Sequence, residues 1–145
     1  MRILLCLVFL STSCFAGVDL NVFSQNLSLP ESCSLQVENH ALITIKCKDT
    51  QHHLTFSSVK DGEFSANSFL KKAKSENVWE IELIDHKFET IGSYKHFFTH
   101  TKENGKDDFT YVLCDKIMCF YVDSYSREFI DEVLSQLEIT PIWKS

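Results

Sequence analysis

The amino-acid sequence predicts an α+β protein: an antiparallel sheet of about six to eight strands, with a short helix and a C-terminal helix packed on one face. Three observations predict this class. A tight Asn104-Gly105 turn joins two strands, two cysteine pairs fall at matched positions of predicted hairpins, and an amphipathic helix lies near the end of the chain. This combination of antiparallel hairpins and separate helices is typical of the α+β class.

The densest aromatic stretch, residues 94–123, predicts three consecutive antiparallel strands. Asn104-Gly105 is a strong hairpin signal, because both residues tolerate the positive φ of a type I′ turn. With these two residues as the turn, the register places Phe98 opposite Tyr111, and side chains that oppose each other share a face. We expect that face of the sheet to be the core face.

Residues 1–16 are predicted to be a secretory signal peptide. Arg2 gives the positive start, an apolar run follows, and Ala16 ends a small-residue cleavage site. This stretch is too short to span a bilayer. Lipid attachment at Cys14 is the alternative, although the preceding residues match a bacterial lipobox poorly. The mature chain, residues 17–145, is then expected to be one domain that is periplasmic or secreted.

Four cysteines remain in that mature chain. An even number of cysteines in an exported chain indicates disulfides, and four cysteines allow three connectivities. We favour Cys33–Cys47 and Cys114–Cys119, because each pair falls at matched positions of a predicted hairpin. Zinc is the rival interpretation, but a second close pair of ligands is missing near Cys114 and Cys119, and an oxidising compartment disfavours free thiolates.

Two helices are predicted from apolar spacing. Residues 66–74 form a short helix capped by Ser65, after an Asp61-Gly62 turn. Residues 127–137 form the last helix, and Ser126 is its cap. This last helix has one apolar stripe, which should lie on the core face of the sheet. The stripe consists of Phe129, Ile130, Val133, Leu134 and Leu137.

The remaining strands follow from alternation of apolar and polar residues. Outside the 94–123 stretch, the predicted strands are a hairpin of 33–37 and 43–47, then 53–59, 78–84 and 88–91.

The second face of the central strands is half apolar. Phe97, Val112 and Tyr121 alternate there with polar neighbours. Scattered apolar residues are normal on a surface, but such a face could also be used by a partner. Phe97, Val112 and Tyr121 are therefore the candidate partner-binding residues.

The charge of the mature chain disfavours two classes of partner. Loss of the signal peptide leaves 13 Lys and Arg against 20 Asp and Glu, a net charge of −7. A nucleic-acid-binding protein would need clustered basic residues. An anionic membrane surface is disfavoured for the same reason, and no later segment is long and apolar enough to be transmembrane. A basic protein is the expected partner.

Motifs for catalysis, metals or cofactors are missing from the sequence. His96 and His100 share one face of a strand but lie about 13 Å apart by strand rise, too far to share an ion. Glu80 and Glu82 also share a face, for which a solvated strand is the simpler interpretation. The chain has no Gly-x-Ser-x-Gly and no glycine-rich phosphate loop. We therefore expect no metal, no cofactor and no enzymatic activity.

The order of the predicted elements resembles the PsbP-like fold. The resemblance is carried by a short strand ending in Leu29-Pro30, a helix near Phe69, further antiparallel strands and the final helix at 129–137. Small bacterial envelope proteins and some secretion-associated chaperones share that fold. The resemblance implies a fold only, because no residue-level motif accompanies it.

Three functions are compatible with these features. The first is a small exported protein that binds another protein stoichiometrically, as immunity proteins, inhibitors and envelope chaperones do, with its acidic charge steering it to a basic partner. The second is a carrier or sensor subunit for a small apolar ligand, held in a cavity near Tyr94, Phe98, Phe109 and Tyr111. The third is a hydrolase, which would need carboxylates or a histidine converging in a cleft.

Overall fold

The computed structural model describes residues 19–47, 50–75 and 81–144, with side chains described up to residue 71 in the second range. The predicted signal peptide and the first residues of the predicted 78–84 strand lie outside the described residues. Within them, the chain forms nine strands, two α-helices and one 3₁₀ turn. The strands are β1 (Asp19–Val22), β2 (Gln25–Ser28), β3 (Cys33–Val37), β4 (Leu42–Cys47), β5 (Thr50–Ser58), β6 (Ile81–Ile91), β7 (Tyr94–Glu103), β8 (Lys106–Cys114) and β9 (Met118–Ser124). The helices are α1 (Val59–Ser75) and α2 (Arg127–Gln136), and the 3₁₀ turn is Ile142–Lys144.

Seven of these strands form one antiparallel sheet in the order β3-β4-β5-β9-β8-β7-β6. The strands β1 and β2 form a separate two-stranded hairpin. This hairpin and α2 pack on one face of the large sheet, and α1 packs on the other. The α+β class is therefore confirmed, but the two helices lie on opposite faces of the sheet.

The registers predicted from the turns are confirmed. Phe98 pairs with Tyr111 across the β7–β8 hairpin. Asn104 and Gly105 form its turn with φ of 49° and 78°, which is the left-handed region that the Asn-Gly pair tolerates. On the next strand, Val122 pairs with Tyr111. These three side chains form one face, as the alternation of apolar residues predicted.

Both predicted disulfides are present. Cys33 and Cys47 are bonded across the β3–β4 hairpin, with Cα atoms 4.1 Å apart. Cys114 and Cys119 are bonded across the β8–β9 turn, with Cα atoms 4.0 Å apart. Each bond joins directly opposed residues of two neighbouring strands. The two disulfides lie on opposite faces of the sheet, and Cys114–Cys119 lies beneath α1.

The helix α2 covers the predicted core face. Ser126 caps it, since its Oγ accepts a hydrogen bond from the N–H of Phe129 at 3.2 Å. All five residues of the apolar stripe are buried. Trp143 of the 3₁₀ turn closes the end of this core, with its ring centroid 4.6 Å from that of Phe98. Full burial of each aliphatic or phenylalanine side chain of the stripe stabilises the folded state by roughly 1.5–3 kcal/mol.

The helix α1 begins at Val59, seven residues earlier than predicted. Its first turn is capped by Ser58, whose Oγ accepts a hydrogen bond from the N–H of Asp61 at 3.2 Å. Asp61 and Gly62 are therefore helical, and their interpretation as a turn was wrong. Gly62 is needed for another reason, because a Cβ at this position would overlap Sγ of Cys119.

The strand β6 is longer than the two short strands predicted for this region. It runs from Ile81 to Ile91 without a break, apart from a shift in register between Leu83 and Asp85. Gly92, with φ of 60°, lies in the turn that joins β6 to β7. None of the helices in the described ranges is long and apolar enough to cross a bilayer.

Candidate ligand-binding cleft

A cleft of about 410 Å³ separates α1 from the sheet. Its floor comes from β7, β8 and β9, and its roof from the middle of α1. The cleft is mainly apolar. Its floor residues are Phe97, Thr99, Thr110, Val112, Tyr121 and Asp123, and its roof residues are Ser65, Ala66, Phe69 and Leu70.

The three candidate partner-binding residues lie on this floor, which corrects their expected exposure. Phe97 and Val112 are only 4% and 3% exposed, and Tyr121 is half-buried. They are covered because α1 begins before Ser65 and crosses the face that the sequence left open. Their role in binding stays a prediction, and the three residues lie inside a cleft rather than on an open face.

Two contacts fix α1 over one end of this floor. The hydroxyl of Tyr121 donates a hydrogen bond to the carbonyl oxygen of Gly62 at 2.8 Å. Glu63 of α1 pairs with Lys95 of β7, at 2.8 Å between Oε1 and Nζ. Farther along the helix, Phe69 is 38% exposed and forms part of the rim. The helix is thus held close to the sheet near Gly62 and leaves space near Phe69.

Among the described residues that line this cleft, Asp123 is the one carboxylate. It accepts a hydrogen bond from the hydroxyl of Thr110 at 2.7 Å. Burial raises the pKa of Asp123, while the Thr110 hydrogen bond and the nearby His53 oppose the rise. A carboxylate in such surroundings is incompletely compensated for its lost hydration and would gain from a cationic group beside it.

A second cleft, of about 350 Å³, adjoins the first at Asp123. Its lining includes His53, Asp108 and Tyr125. Burial raises the pKa of Asp108, and the negative charge of Asp123 raises it further. The structure therefore brings two carboxylates and one histidine to the same side of the sheet. These are the group types that the hydrolase hypothesis requires, and that hypothesis stays a prediction.

The histidines that suggested a metal have separate protein partners. His96 Nδ1 lies 2.7 Å from the hydroxyl of Tyr111, and His100 Nε2 lies 2.8 Å from Oδ1 of Asp107. The Tyr111 hydroxyl also accepts a hydrogen bond from the N–H of Ile142. In the described part of the chain, no three His, Cys, Asp or Glu side chains are grouped as metal ligands.

The apolar cavity predicted beside Phe98 and Tyr111 is filled. Trp143 packs on both rings, at centroid distances of 4.6 Å and 5.1 Å. A groove of about 380 Å³ does reach Tyr94 on that face, but it is also lined by His96 and Glu138 and is more polar. The predominantly apolar cleft lies on the opposite face, beneath α1, where apolar periodicity did not predict a cavity.

Sequence reasoning missed Asp123, Thr110 and the roof residues of the cleft. The alternation of side chains along the strands could have placed Asp123 and Thr110 on this face, because Asp123 is two residues after Tyr121 and pairs with Thr110 across the predicted β8–β9 hairpin. The roof was missed because it depends on where α1 begins.

Comparison with known protein families finds no family model that matches this chain. A search of curated proteins likewise finds no significant match. The resemblance to the PsbP-like fold thus stays a prediction.

Proposed function

We propose that this protein is an exported, non-catalytic binding protein that holds a small apolar ligand between α1 and the sheet. The observation that carries the proposal is the cleft of about 410 Å³ whose walls are mostly apolar side chains. Ligand sites of proteins are typically concave, roughly 300–1,000 Å³ in volume and mainly apolar, with a few polar groups that orient the ligand. The two disulfides are compatible with an oxidising compartment outside the cytoplasm.

The arrangement of α1 supports this proposal over an imperfectly packed interior. Near its start the helix touches the sheet so closely that only glycine fits at position 62. Farther along, Phe69 and Leu70 line the open space together with Val112 of the sheet. A void among such side chains forfeits dispersion contacts, which a ligand would restore.

The test uses the neutral fluorophore N-phenylnaphthylamine and the purified protein with both disulfides formed. We expect saturable binding at one site, with enhanced fluorescence. Phe69→Ala should weaken binding about tenfold, because it removes apolar surface from the rim. Phe64→Ala is the matched control, since Phe64 lies on the same helix but is 73% exposed and is absent from the cleft lining.

A second variant tests the cleft without removing a contact. Ala66→Leu adds apolar volume to the roof and should reduce the affinity for the fluorophore without unfolding the protein. If the wild-type protein does not bind the fluorophore saturably, or if Phe64→Ala and Phe69→Ala weaken binding equally, the proposal is wrong.

Protein binding, the function that the sequence favoured, has a separate observation behind it. The strand β6 lies at one edge of the sheet that the described residues form. It carries three exposed apolar side chains, Ile84, Phe88 and Ile91, at 44%, 54% and 42% exposure. A sheet edge with apolar side chains can pair with an extended segment of a partner.

This second function is tested by pull-down from the native host with the mature protein as bait. A single stoichiometric partner that is lost with Ile84→Lys, and retained with the control Phe64→Lys, would support docking at β6. Capture that is unaffected by Ile84→Lys would exclude this edge, and recovery of background proteins alone would count against a protein partner.

A further inference from the structure

We infer that the ligand of the α1 cleft is a cationic amphiphile: an apolar body lying between Phe69 and Val112, with a protonated amine bound at the carboxylate of Asp123. This inference rests on the proposed function and adds the chemical class of the ligand. It follows from the position of Asp123 in the cleft lining and from the charges around it.

The described lining of the cleft holds one carboxylate in a mainly apolar wall. Asp123 lies next to Tyr121 and Thr110, whereas Phe97, Val112 and Leu70 form the apolar part of the lining. An apolar wall with a carboxylate at one place fits a ligand that has an apolar body and a positively charged end. A neutral ligand would leave the carboxylate without a charged partner, and an anionic ligand would be repelled by it.

The surroundings of Asp123 strengthen this preference. Asp108 lies close enough that the negative charge of Asp123 disfavours its ionisation. Within the described residues, neither adjoining cleft has a lysine or an arginine in its lining, and His53 is the nearby basic group. The hydroxyl of Thr110 donates one hydrogen bond to Oδ1 of Asp123. A carboxylate accepts several hydrogen bonds, so an ammonium group can bind while Thr110 keeps its own.

The energetics also favour an amine over an alcohol of the same length. Hydrogen bonds that involve two charged groups are shorter and stronger than neutral ones. Burial raises the pKa of Asp123, so the folded protein destabilises this negative charge, and a bound cation would offset that penalty. The expected gain from the head group is about tenfold in affinity.

The experiment is calorimetric titration of the purified protein at pH 7 with octylamine, octanol and octanoate, which share one apolar chain. We expect octylamine to bind about tenfold more tightly than octanol, and octanoate to bind most weakly. Asp123→Asn should remove the preference for the amine over octanol. The control Glu132→Gln makes the same change of charge at an exposed residue of α2, on the other side of the sheet, and should keep the preference.

Three other outcomes of these titrations would each contradict the inference. Equal binding of octylamine and octanol would exclude recognition of the amine but leave the apolar cleft as a binding site. A preference that persists in Asp123→Asn would place the amine elsewhere on this acidic protein. If none of the three compounds binds saturably, both the inference and the proposed function fail.

Discussion

Gly62 of α1 lies directly against the side chain of Cys119 on β9. A Cβ built on Gly62 would overlap Sγ of Cys119, lie 2.5 Å from its Cβ and lie 2.9 Å from Oγ of Ser57. The buried Cys114–Cys119 disulfide thus sets how closely α1 approaches the sheet at this point. The cleft opens farther along the same helix.

We predict that Gly62→Ala destabilises the protein. In an open helix the change would increase stability by about 1 kcal/mol, because alanine has the higher helix propensity. Here the added methyl group must displace α1 from Cys119, which should cost a net of about 1–3 kcal/mol. The free energy of unfolding in urea measures this effect. Asn67→Ala, at an exposed position of α1, is the control and should be neutral or slightly stabilising; an equal gain for Gly62→Ala would show that the close contact is absent.

The two disulfides should contribute by different routes. Replacing Cys33 and Cys47 together by alanine should cost about 3 kcal/mol through the entropy of the unfolded chain, since the bond closes a loop with a sequence separation of 14. Replacing Cys114 and Cys119 together by alanine should lower the stability and should also weaken binding of N-phenylnaphthylamine, because α1 packs on that disulfide. Urea unfolding and fluorophore titration separate the two effects. Equal affinity of the two double variants would contradict this distinction.

Asp123→Asn should stabilise the protein at pH 7. Burial raises the pKa of Asp123 above its ordinary value of 3.8, so the folded state holds this proton more tightly than the unfolded state does. The stabilising contribution of the group is therefore present at low pH and lost as pH rises through the raised pKa. Removing the ionised form should add about 1 kcal/mol at pH 7, while Oδ1 of asparagine still accepts from Thr110.

The measurement is the free energy of unfolding of the wild-type and variant proteins from pH 7 to pH 3. The advantage of the Asp123→Asn variant should shrink as the pH falls. An advantage that is constant over this range would show that ionisation of Asp123 is not its cause.

His52 should give the opposite dependence on pH. It is buried, stacks on Phe129 at 3.7 Å between ring centroids, and its Nδ1 lies 2.7 Å from the hydroxyl of Ser124. The Thr50 hydroxyl donates to the carbonyl oxygen of Cys47, so His52 Nε2, 3.2 Å away, donates to Thr50, and in the neutral ring Nδ1 accepts from Ser124. Burial first, and the charge of His53 second, lower the pKa of His52 below 6.5.

The contribution of neutral His52 is therefore fully present above pH 6.5 and lost as the pH falls below it. We expect wild-type protein to lose stability relative to His52→Gln between pH 7 and pH 5. Parallel stability curves for the two proteins over this range would contradict the assignment of a neutral histidine at this site.

Local signals were sufficient to predict most of the sheet. Asn104-Gly105 fixes the β7–β8 register because both residues tolerate the positive φ of a type I′ turn, which matches the twist of the flanking strands. Cys33 opposite Cys47 does the same for β3–β4, since only close opposed residues can be bridged. In both hairpins the information lies within a few residues of the turn.

The start of α1 could not be predicted in this way. Asp61-Gly62 has the composition of a turn, and its glycine is explained only by Cys119, which is 57 positions away in the sequence. That single error left Phe97 and Val112 on an apparently open face. The cleft, unlike the hairpins, depends on a contact between distant parts of the chain, which periodicity does not encode.

The central claim is that the space between α1 and the sheet binds an apolar ligand, and amide chemical-shift mapping tests it most directly. The isotope-labelled protein is titrated with N-phenylnaphthylamine until the spectrum stops changing. We predict that saturable shifts concentrate at Ala66, Leu70, Thr110 and Val112, which line the cleft. Shifts centred on the opposite face, around Leu137 in the groove beside Tyr94, or the absence of saturable shifts, would contradict it.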